Sequence, residues 1–267
     1  MQPDIPVVFL VFAGLFGLLI GSFLNVCIYR IPRDVSVVVP RSFCPECGAQ
    51  IAWFDNIPLL SYTMLRGRCR ACAKPIGFRY PTVELATAVL FVWTVAGYGL
   101  TLSTAKWLLF EAILVVLFFT DLEERILPDE FTIGGSIAGL IFAFFLPVPG
   151  SMADLLVPGA SPLVSSLFDA VVGASLLAVP IAVLGFLWSK VRRREALGLG
   201  DVKLLILLGI FLGLEKGIVA VLVGSVGGAV IGLLYIVFTR KRASTYELPL
   251  GSFMCVGAVA IPLISKL

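Results

Sequence analysis

The chain contains no histidine. That absence removes histidine-ligated zinc hydrolysis, Ser-His-Asp triads and phosphohistidine chemistry, because no imidazole is present to bind a metal, shuttle a proton or accept a phosphoryl group. Charge is also scarce. Asp, Glu, Lys and Arg make up 14% of the 267 residues, against 59% hydrophobic residues and a mean hydropathy of +1.04. A soluble domain of this composition would lack a polar surface to face water, whereas runs long enough to cross a bilayer recur along most of the length. The residues before the first run carry Asp4 and no Lys or Arg. They lack the basic n-region of a cleavable signal, so the run is expected to remain as a helix.

What is present points to an all-α polytopic membrane protein. Apolar runs predict about eight transmembrane helices, near residues 7–29, 82–98, 105–120, 131–145, 166–189, 197–214, 217–239 and 248–264. In the first of these, Gly14, Gly17 and Gly21 stand at small-residue spacings suited to close helix packing. Residues 30–81 are polar, basic and cysteine-bearing, and form the one stretch expected to stand apart from the bilayer. The expected organisation is a first helix (1–29), a four-cysteine loop (30–81) and a membrane domain (82–267). With that loop in the cytoplasm, all but Lys106, Lys216 and Lys266 of the 20 basic residues fall on the inner side. The positive-inside rule then puts both termini outside. The net charge of +3 says little about partners until the charges are placed, and no nucleic-acid partner is expected. The Pro-, Gly- and Ser-rich segment from Pro147 to Ser165 has no basic residue and is expected to be a flexible outer connector.

Two acids stand out on this map. Asp121 follows the apolar run 112–120 and opens Asp121-Leu122-Glu123-Glu124-Arg125-Ile126-Leu127-Pro128-Asp129, and Asp201 closes Gly198-Leu199-Gly200-Asp201 just before the run 204–214. A carboxylate at the mouth of an apolar segment is costly and marks a functional site by default. The derived topology puts both on the cytoplasmic side, as a pair requires. Peptide hydrolysis without a metal or a Ser or Cys nucleophile needs one carboxylate to take a proton from water and another to donate one, and two facing aspartates that share a proton can do both. The competing reading makes Asp201 a helix N-cap and Asp121 the polar end of a helix. Glu123, Glu124, Asp129 and Lys203 read as supporting or interfacial charges, Glu111 and Asp169 as structural. Glu84 reads as an acid favouring a helix N-terminus.

Cys44-Pro45-Glu46-Cys47 and Cys69-Arg70-Ala71-Cys72 form two C-x2-C pairs. Two such knuckles supply four thiolates, the donor set of a closed structural zinc site with no open position for water. A redox thiol pair is the rival reading, but exchange chemistry needs no second knuckle. Cys27 and Cys255 lie in apolar runs and read as packing residues. The loop carries eight Lys and Arg against Asp34, Glu46 and Asp55, a balance suited to anionic lipid headgroups.

Asp121 with Ile126-Leu127-Pro128-Asp129, and Gly198-Leu199-Gly200-Asp201-Val202-Lys203, resemble the two motifs of the prepilin peptidases, membrane aspartic proteases of the Gly-x-Gly-Asp group. Gly21-Ser22-Phe23-Leu24-Asn25-Val26, the four cysteines, Leu65-Arg66-Gly67-Arg68-Cys69 and Arg79-Tyr80-Pro81-Thr82-Val83-Glu84 are similar to the N-terminal region of the bifunctional members. The resemblance implies that Asp121 and Asp201 are the catalytic pair of an inner-membrane enzyme. It implies a substrate class, type IV prepilins or pseudopilins, cleaved after a glycine at the cytoplasmic face. It further implies methylation of the new N-terminal amine with S-adenosylmethionine, and the glycine matching Gly67 is tied to methylation in that family. No Rossmann-type glycine fingerprint in the chain would have indicated a methyl donor. A transporter or channel with an acid-lined path and a zinc loop is the alternative from another class, but convincing internal repeats are lacking. A zinc-stabilised scaffold without catalysis leaves the paired acids unexplained.

Overall fold

The computed structural model describes residues 5–148, 152–192, 198–239 and 249–264. Arg193, Arg194, Arg240, Lys241, Arg242 and Lys266, which contribute to the orientation reading, lie outside them. The chain separates into two compact units, Met1–Val116 and Leu117–Leu267, with the boundary inside one helix. Among the described residues the regular structure is helical, and pairing is limited to two isolated antiparallel bridges.

The first unit is built on α1 (Val7–Arg30) and α3 (Arg79–Tyr98). A methyl group added at Gly17 would lie 2.6 Å from Ala88 Cα, and one at Gly21 2.7 Å from Glu84 Cα. The glycines therefore let the two backbones approach closely, which gains dispersion contact where lipid offers no hydrophobic drive. Gly14 is looser, since a methyl there would sit 3.3 Å from Val92 Cγ2. Between the helices the chain makes two 3-10 turns, Ile31–Arg33 and Trp53–Asn56, and the short α2 (Leu60–Met64). Side chains from the helices tie this segment down: Arg30 Nη1 donates to Ser36 O at 2.8 Å, and Glu84 Oε2 accepts from Leu59 N at 2.8 Å. Glu84 thus lies inside α3, and it serves a backbone amide of the loop instead of its own helix N-terminus. α4 (Leu102–Glu124) closes the unit, with Glu111 fully buried and accepting from Thr94 Oγ1.

The second unit contains the end of α4, α5 (Asp129–Phe145), α6 (Met152–Leu156), α7 (Pro162–Arg192), α8 (Leu199–Thr239) and α9 (Leu250–Ile264). α8 packs on α5, α7 and α9. Its approach to α7 is backbone to backbone, since a methyl at Gly209 would lie 2.4 Å from Ala174 Cα. The connector expected to be flexible is partly anchored: Ala153 N donates to Asp169 Oδ1 at 2.9 Å and Val148 N to Ser166 Oγ at 3.0 Å. Asp169 is structural in the sense expected, serving a backbone donor.

Five helices among the described residues are long and apolar enough to cross a membrane: Val7–Arg33, Arg79–Tyr98, Leu102–Glu124, Pro162–Val191 and Leu199–Phe238. Hydropathy predicts about eight spans, and five of the described helices meet the requirement by length and composition. The runs 197–214 and 217–239 both fall within α8, as two helical arms that meet at the non-helical backbone of Gly213 (φ 70°, ψ −179°), a conformation that glycine adopts without steric penalty. α5 and α9, at 17 and 15 residues, fall short of the roughly 20 residues that match a bilayer core.

Candidate active site and metal centre

Asp121 and Asp201 both belong to the second unit. Asp121 sits within α4, and the helix stops because Arg125 turns left-handed (φ 59°) while its N–H donates to Asp121 O at 3.1 Å. Pro128 then caps α5, so Ile126 and Leu127 form a tight corner. Asp201 lies in the first turn of α8, its N–H donating to Gly198 O at 3.1 Å. The helix begins at Leu199, so Asp201 is not its N-cap. Asp121 is 7% exposed, so it is not a helix end in headgroup water either.

Leu127 joins the two acids through small residues. A methyl at Gly200 would meet Leu127 Cβ at 3.2 Å, and one at Gly251 would meet Leu127 Cδ1 at 3.2 Å and Asp121 Cγ at 3.1 Å. The leucine is therefore wedged between the residue before Asp201 and the residue that faces Asp121. The two carboxyl groups interact electrostatically, and the buried Cys255 lies within electrostatic reach of both. Lys203 Nζ bridges to Asp129 Oδ1 at 2.5 Å and ties the start of α8 to the start of α5.

Sequence reasoning missed Ser252. Its backbone N–H and its Oγ both donate to Asp121 Oδ2, at 2.6 and 2.7 Å, and the same Oγ is 3.0 Å from Phe118 O. One hydroxyl proton serves one of those two acceptors at a time. Asp121 is thus held at one oxygen by a residue 131 positions away, at the start of an apolar helix. No charge, repeat or spacing signal connected the two. Gly251 was missed for the same reason.

The four cysteines converge in the first unit. Their sulfur atoms all lie within 4.8 Å of one another, with Cys44 Sγ and Cys72 Sγ 4.0 Å apart. A tetrahedral shell with Zn–S bonds of about 2.3 Å has sulfur–sulfur edges of about 3.8 Å, so the cluster fits a four-thiolate metal site with a small contraction. The two knuckles repeat the same local geometry. Cys44 N donates to Ala49 O and Cys69 N to Lys74 O, both at 2.9 Å; Gly48 N donates to Cys44 O and Ala73 N to Cys69 O, also at 2.9 Å. The residue after each second cysteine is left-handed, Gly48 at φ 72° and Ala73 at φ 56°. Each knuckle is closed by one antiparallel bridge, Phe43 to Gln50 and Arg68 to Pro75.

Backbone amides of Cys72 and Ala71 pointing at Cys69 draw its thiol down to about 7, while for Cys72 the Lys74 amide is outweighed by desolvation and the neighbouring sulfurs, which push its thiol up to about 11. No disulfide joins the six cysteines. Ion pairs fasten the surroundings of the cluster: Arg70 to Asp55 through two bonds of 2.6 Å, and Lys74 to Glu46. The Arg70 guanidinium holds the Asp55 carboxyl below its ordinary value. Gly67, two positions before Cys69, is left-handed (φ 65°) and touches Tyr62 rather than a cysteine.

Residues 15–98 match the bacterial peptidase A24 N-terminal domain, and residues 108–233 match the type IV leader peptidase family. The chain is 41% identical over 240 residues to the prepilin leader peptidase/N-methyltransferase of Myxococcus xanthus, covering 90% of this chain and 67% of that protein. It is 34% identical over 266 residues to the protein of the same name from Aeromonas hydrophila, covering 91% and 86%. It is also 36% identical over 275 residues to the type 4 prepilin-like proteins leader peptide-processing enzyme of Escherichia coli, covering 94% and 92%. No solved structure matches the chain.

Proposed function

Because the chain belongs to the type IV leader peptidase family, we propose that Asp121 and Asp201 are the acid and base with which it removes the leaders of type IV prepilins or pseudopilins. It is a multi-pass membrane enzyme, an aspartic-type prepilin leader peptidase that also has N-methyltransferase activity. The observation that carries the site assignment is the convergence of Asp121 and Asp201 on the Leu127 corner, with Ser252 fixing one oxygen of Asp121.

In the proposed mechanism one ionised carboxylate takes a proton from water as the water oxygen bonds to the scissile carbonyl carbon. The protonated partner donates its proton to the carbonyl oxygen. Collapse of the resulting diol breaks the C–N bond: the leaving nitrogen receives a proton from the carboxyl that took one from water, and a diol hydroxyl returns its proton to the partner carboxylate, which restores the starting pair. The leader is cut after a glycine at the cytoplasmic face of the bacterial inner membrane. For that orientation we take the two arms of α8 as separate crossings at Gly213 and count α5 and α9 as short ones. This yields eight crossings with both termini outside. The reading treats 1–29 as the first helix, 30–81 as the methylation-associated loop and 82–267 as the peptidase domain. Its basic loop is suited to anionic headgroups.

Cys44, Cys47, Cys69 and Cys72 would hold a zinc ion that cross-links the two knuckles, a structural role in which four thiolate donors leave no place for a catalytic water. S-adenosylmethionine, when bound, supplies a methyl group on a sulfonium. The amine lone pair forms the new C–N bond, the sulfur keeps the C–S pair as a thioether, and the product ammonium loses a proton to solvent.

Ser252→Ala removes one of two donors to Asp121 while leaving the backbone N–H. A hydrogen bond to a charged group contributes about 1.5–3 kcal/mol, so kcat for leader cleavage is expected to fall by about one to two orders of magnitude. Ser252→Thr, which keeps the hydroxyl, should retain most activity. Steady-state cleavage of a purified prepilin by both variants checks this, and a Ser252→Ala enzyme with wild-type kcat contradicts it. Gly67→Val forces a β-branched residue into a left-handed conformation against Tyr62. It is expected to abolish methylation of the cleaved pilin while cleavage continues. Mass spectrometry of the product reads both activities at once, and equal loss of the two in a zinc-loaded variant contradicts the separation.

A further inference from the structure

Within the first unit, a cavity of about 470 Å3 opens among α1, the start of α3 and the cysteine-bearing loop. Its size lies in the range that encloses drug-sized ligands. Neither Asp121 nor Asp201 lines it, so the peptidase chemistry leaves it unexplained; Cys44 and Cys69 of the four-cysteine cluster stand at one part of its wall. The wall is mainly apolar, but it includes the rings of three tyrosines, Tyr29, Tyr62 and Tyr80, besides Phe43, together with Asn25, Arg30 and Glu84. The last three are all buried in the fold.

Asn25 is the informative wall residue. It is 2% exposed, and its Nδ2 donates to Tyr80 O at 3.0 Å and to Gly21 O at 3.3 Å. Its Oδ1, also buried, has no partner among the described residues. A buried acceptor left unpaired is destabilising unless a group in the cavity donates to it.

The second informative contact is behind the wall. Gly67 does not line the cavity, yet a methyl added there would lie 3.0 Å from Tyr62 Oη and 3.1 Å from Tyr62 Cζ. Gly67 N also donates to Tyr62 O at 2.8 Å, and Tyr62 Oη donates to Ile76 O at 3.4 Å. Any side chain at position 67 therefore crowds the ring of a residue that lines the cavity.

We infer, resting on the methyltransferase reading above, that this cavity is where the chain binds S-adenosylmethionine. The tyrosines offer faces for an adenine ring. Asn25 Oδ1 and the Glu84 carboxyl are acceptors for its amino and hydroxyl donors, and Arg30 is the counter-charge for its carboxylate. Gly67 is then a positioning residue that acts through Tyr62, without touching the donor. The aromatic and mixed-polarity wall separates this cavity from a lipid groove, which would be apolar without a buried orphan acceptor.

The test uses the full zinc-loaded enzyme in detergent and S-adenosylhomocysteine as the calorimetric probe. Wild type should bind saturably, and Ala52→Trp, which places an indole in the cavity wall, should weaken binding by at least tenfold with zinc content unchanged. Unchanged affinity in a zinc-loaded Ala52→Trp protein overturns the inference. Ultraviolet cross-linking of labelled S-adenosylmethionine to the wild-type protein gives an answer that needs no variant. An adduct within residues 22–84 is expected, and one confined to residues after 116 overturns the assignment. A wild-type enzyme that cleaves prepilin but never yields an N-methylated product overturns the methyltransferase reading itself, and with it this inference. Methylated product with binding unaffected by Ala52→Trp overturns the cavity alone.

Discussion

Asp121→Asn and Asp201→Asn are each expected to reduce leader cleavage by at least about three orders of magnitude, with protein abundance and helical content unchanged. General acid–base catalysis by one positioned group contributes about 10²–10⁴-fold, and here each aspartate must alternate between accepting and donating a proton. An amide does neither, so losing one partner disables both halves of the cycle. The substitution is nearly isosteric, and Asn at 121 can still accept from Ser252 N, so the fold should tolerate it. At position 201 the cost to folding should be smaller still, because Asp201 is only half-buried and removing it relieves repulsion between two like groups. The measurement is cleavage of a purified prepilin by purified variants in detergent, with product quantified by mass spectrometry. Retained cleavage by Asp201→Asn would sink the pair assignment and leave the interaction with Asp121 as an incidental one.

Removing the metal is expected to have the second-largest effect, and a different one. Structural zinc in small four-ligand sites contributes about 10–16 kcal/mol of apparent binding free energy, and the loop has little apolar core with which to replace it. Cys44→Ala, or prolonged treatment with a strong chelator, should therefore unfold residues 30–81, seen as rapid proteolysis within that segment. Methylation should be lost with the fold of the loop. Elemental analysis is expected to find one zinc per chain in wild type and none in Cys44→Ala together with Cys72→Ala. A metal-free wild-type protein with a protease-resistant loop would reject the four-cysteine site. The paired knuckles make this result specific. Cys44 is 7% exposed and buried among the other three sulfurs, so its loss should be felt more than that of Cys47, which is exposed.

Much of the chemistry was legible from the chain because it is local or obeys a global rule. The C-x2-C spacing puts two sulfurs on one turn wherever it occurs, and the absence of histidine left thiolates as the soft donors. Lys and Arg placement led to the expectation that Asp121 and Asp201 share one face of the bilayer, without any knowledge of packing, and the Gly-Leu-Gly-Asp motif marked the costly carboxylate. Gly17 and Gly21 were readable for a related reason, since small-residue spacing on an apolar helix signals a close neighbour. Hydropathy separated the runs 197–214 and 217–239, but it did not show that they join directly at the non-helical backbone of Gly213, with no loop between the two arms of α8.

By itself, then, the sequence determined the class of protein, singled out the two acids proposed here as the catalytic pair, and named the four cysteines that cluster as a candidate metal site. Each follows from residue type, spacing or the energetic cost of charge beside lipid. Only the tertiary structure decided what surrounds them. Ser252 reaches Asp121 across 131 residues, Leu127 fills the gap between Gly200 and Gly251, and Glu84 turns from its own helix to hold the amide of Leu59. Gly67 likewise acquires meaning through Tyr62. These are contacts between side chains on different helices, set by how the helices pack, and no periodicity along one helix encodes which residue of another will face it.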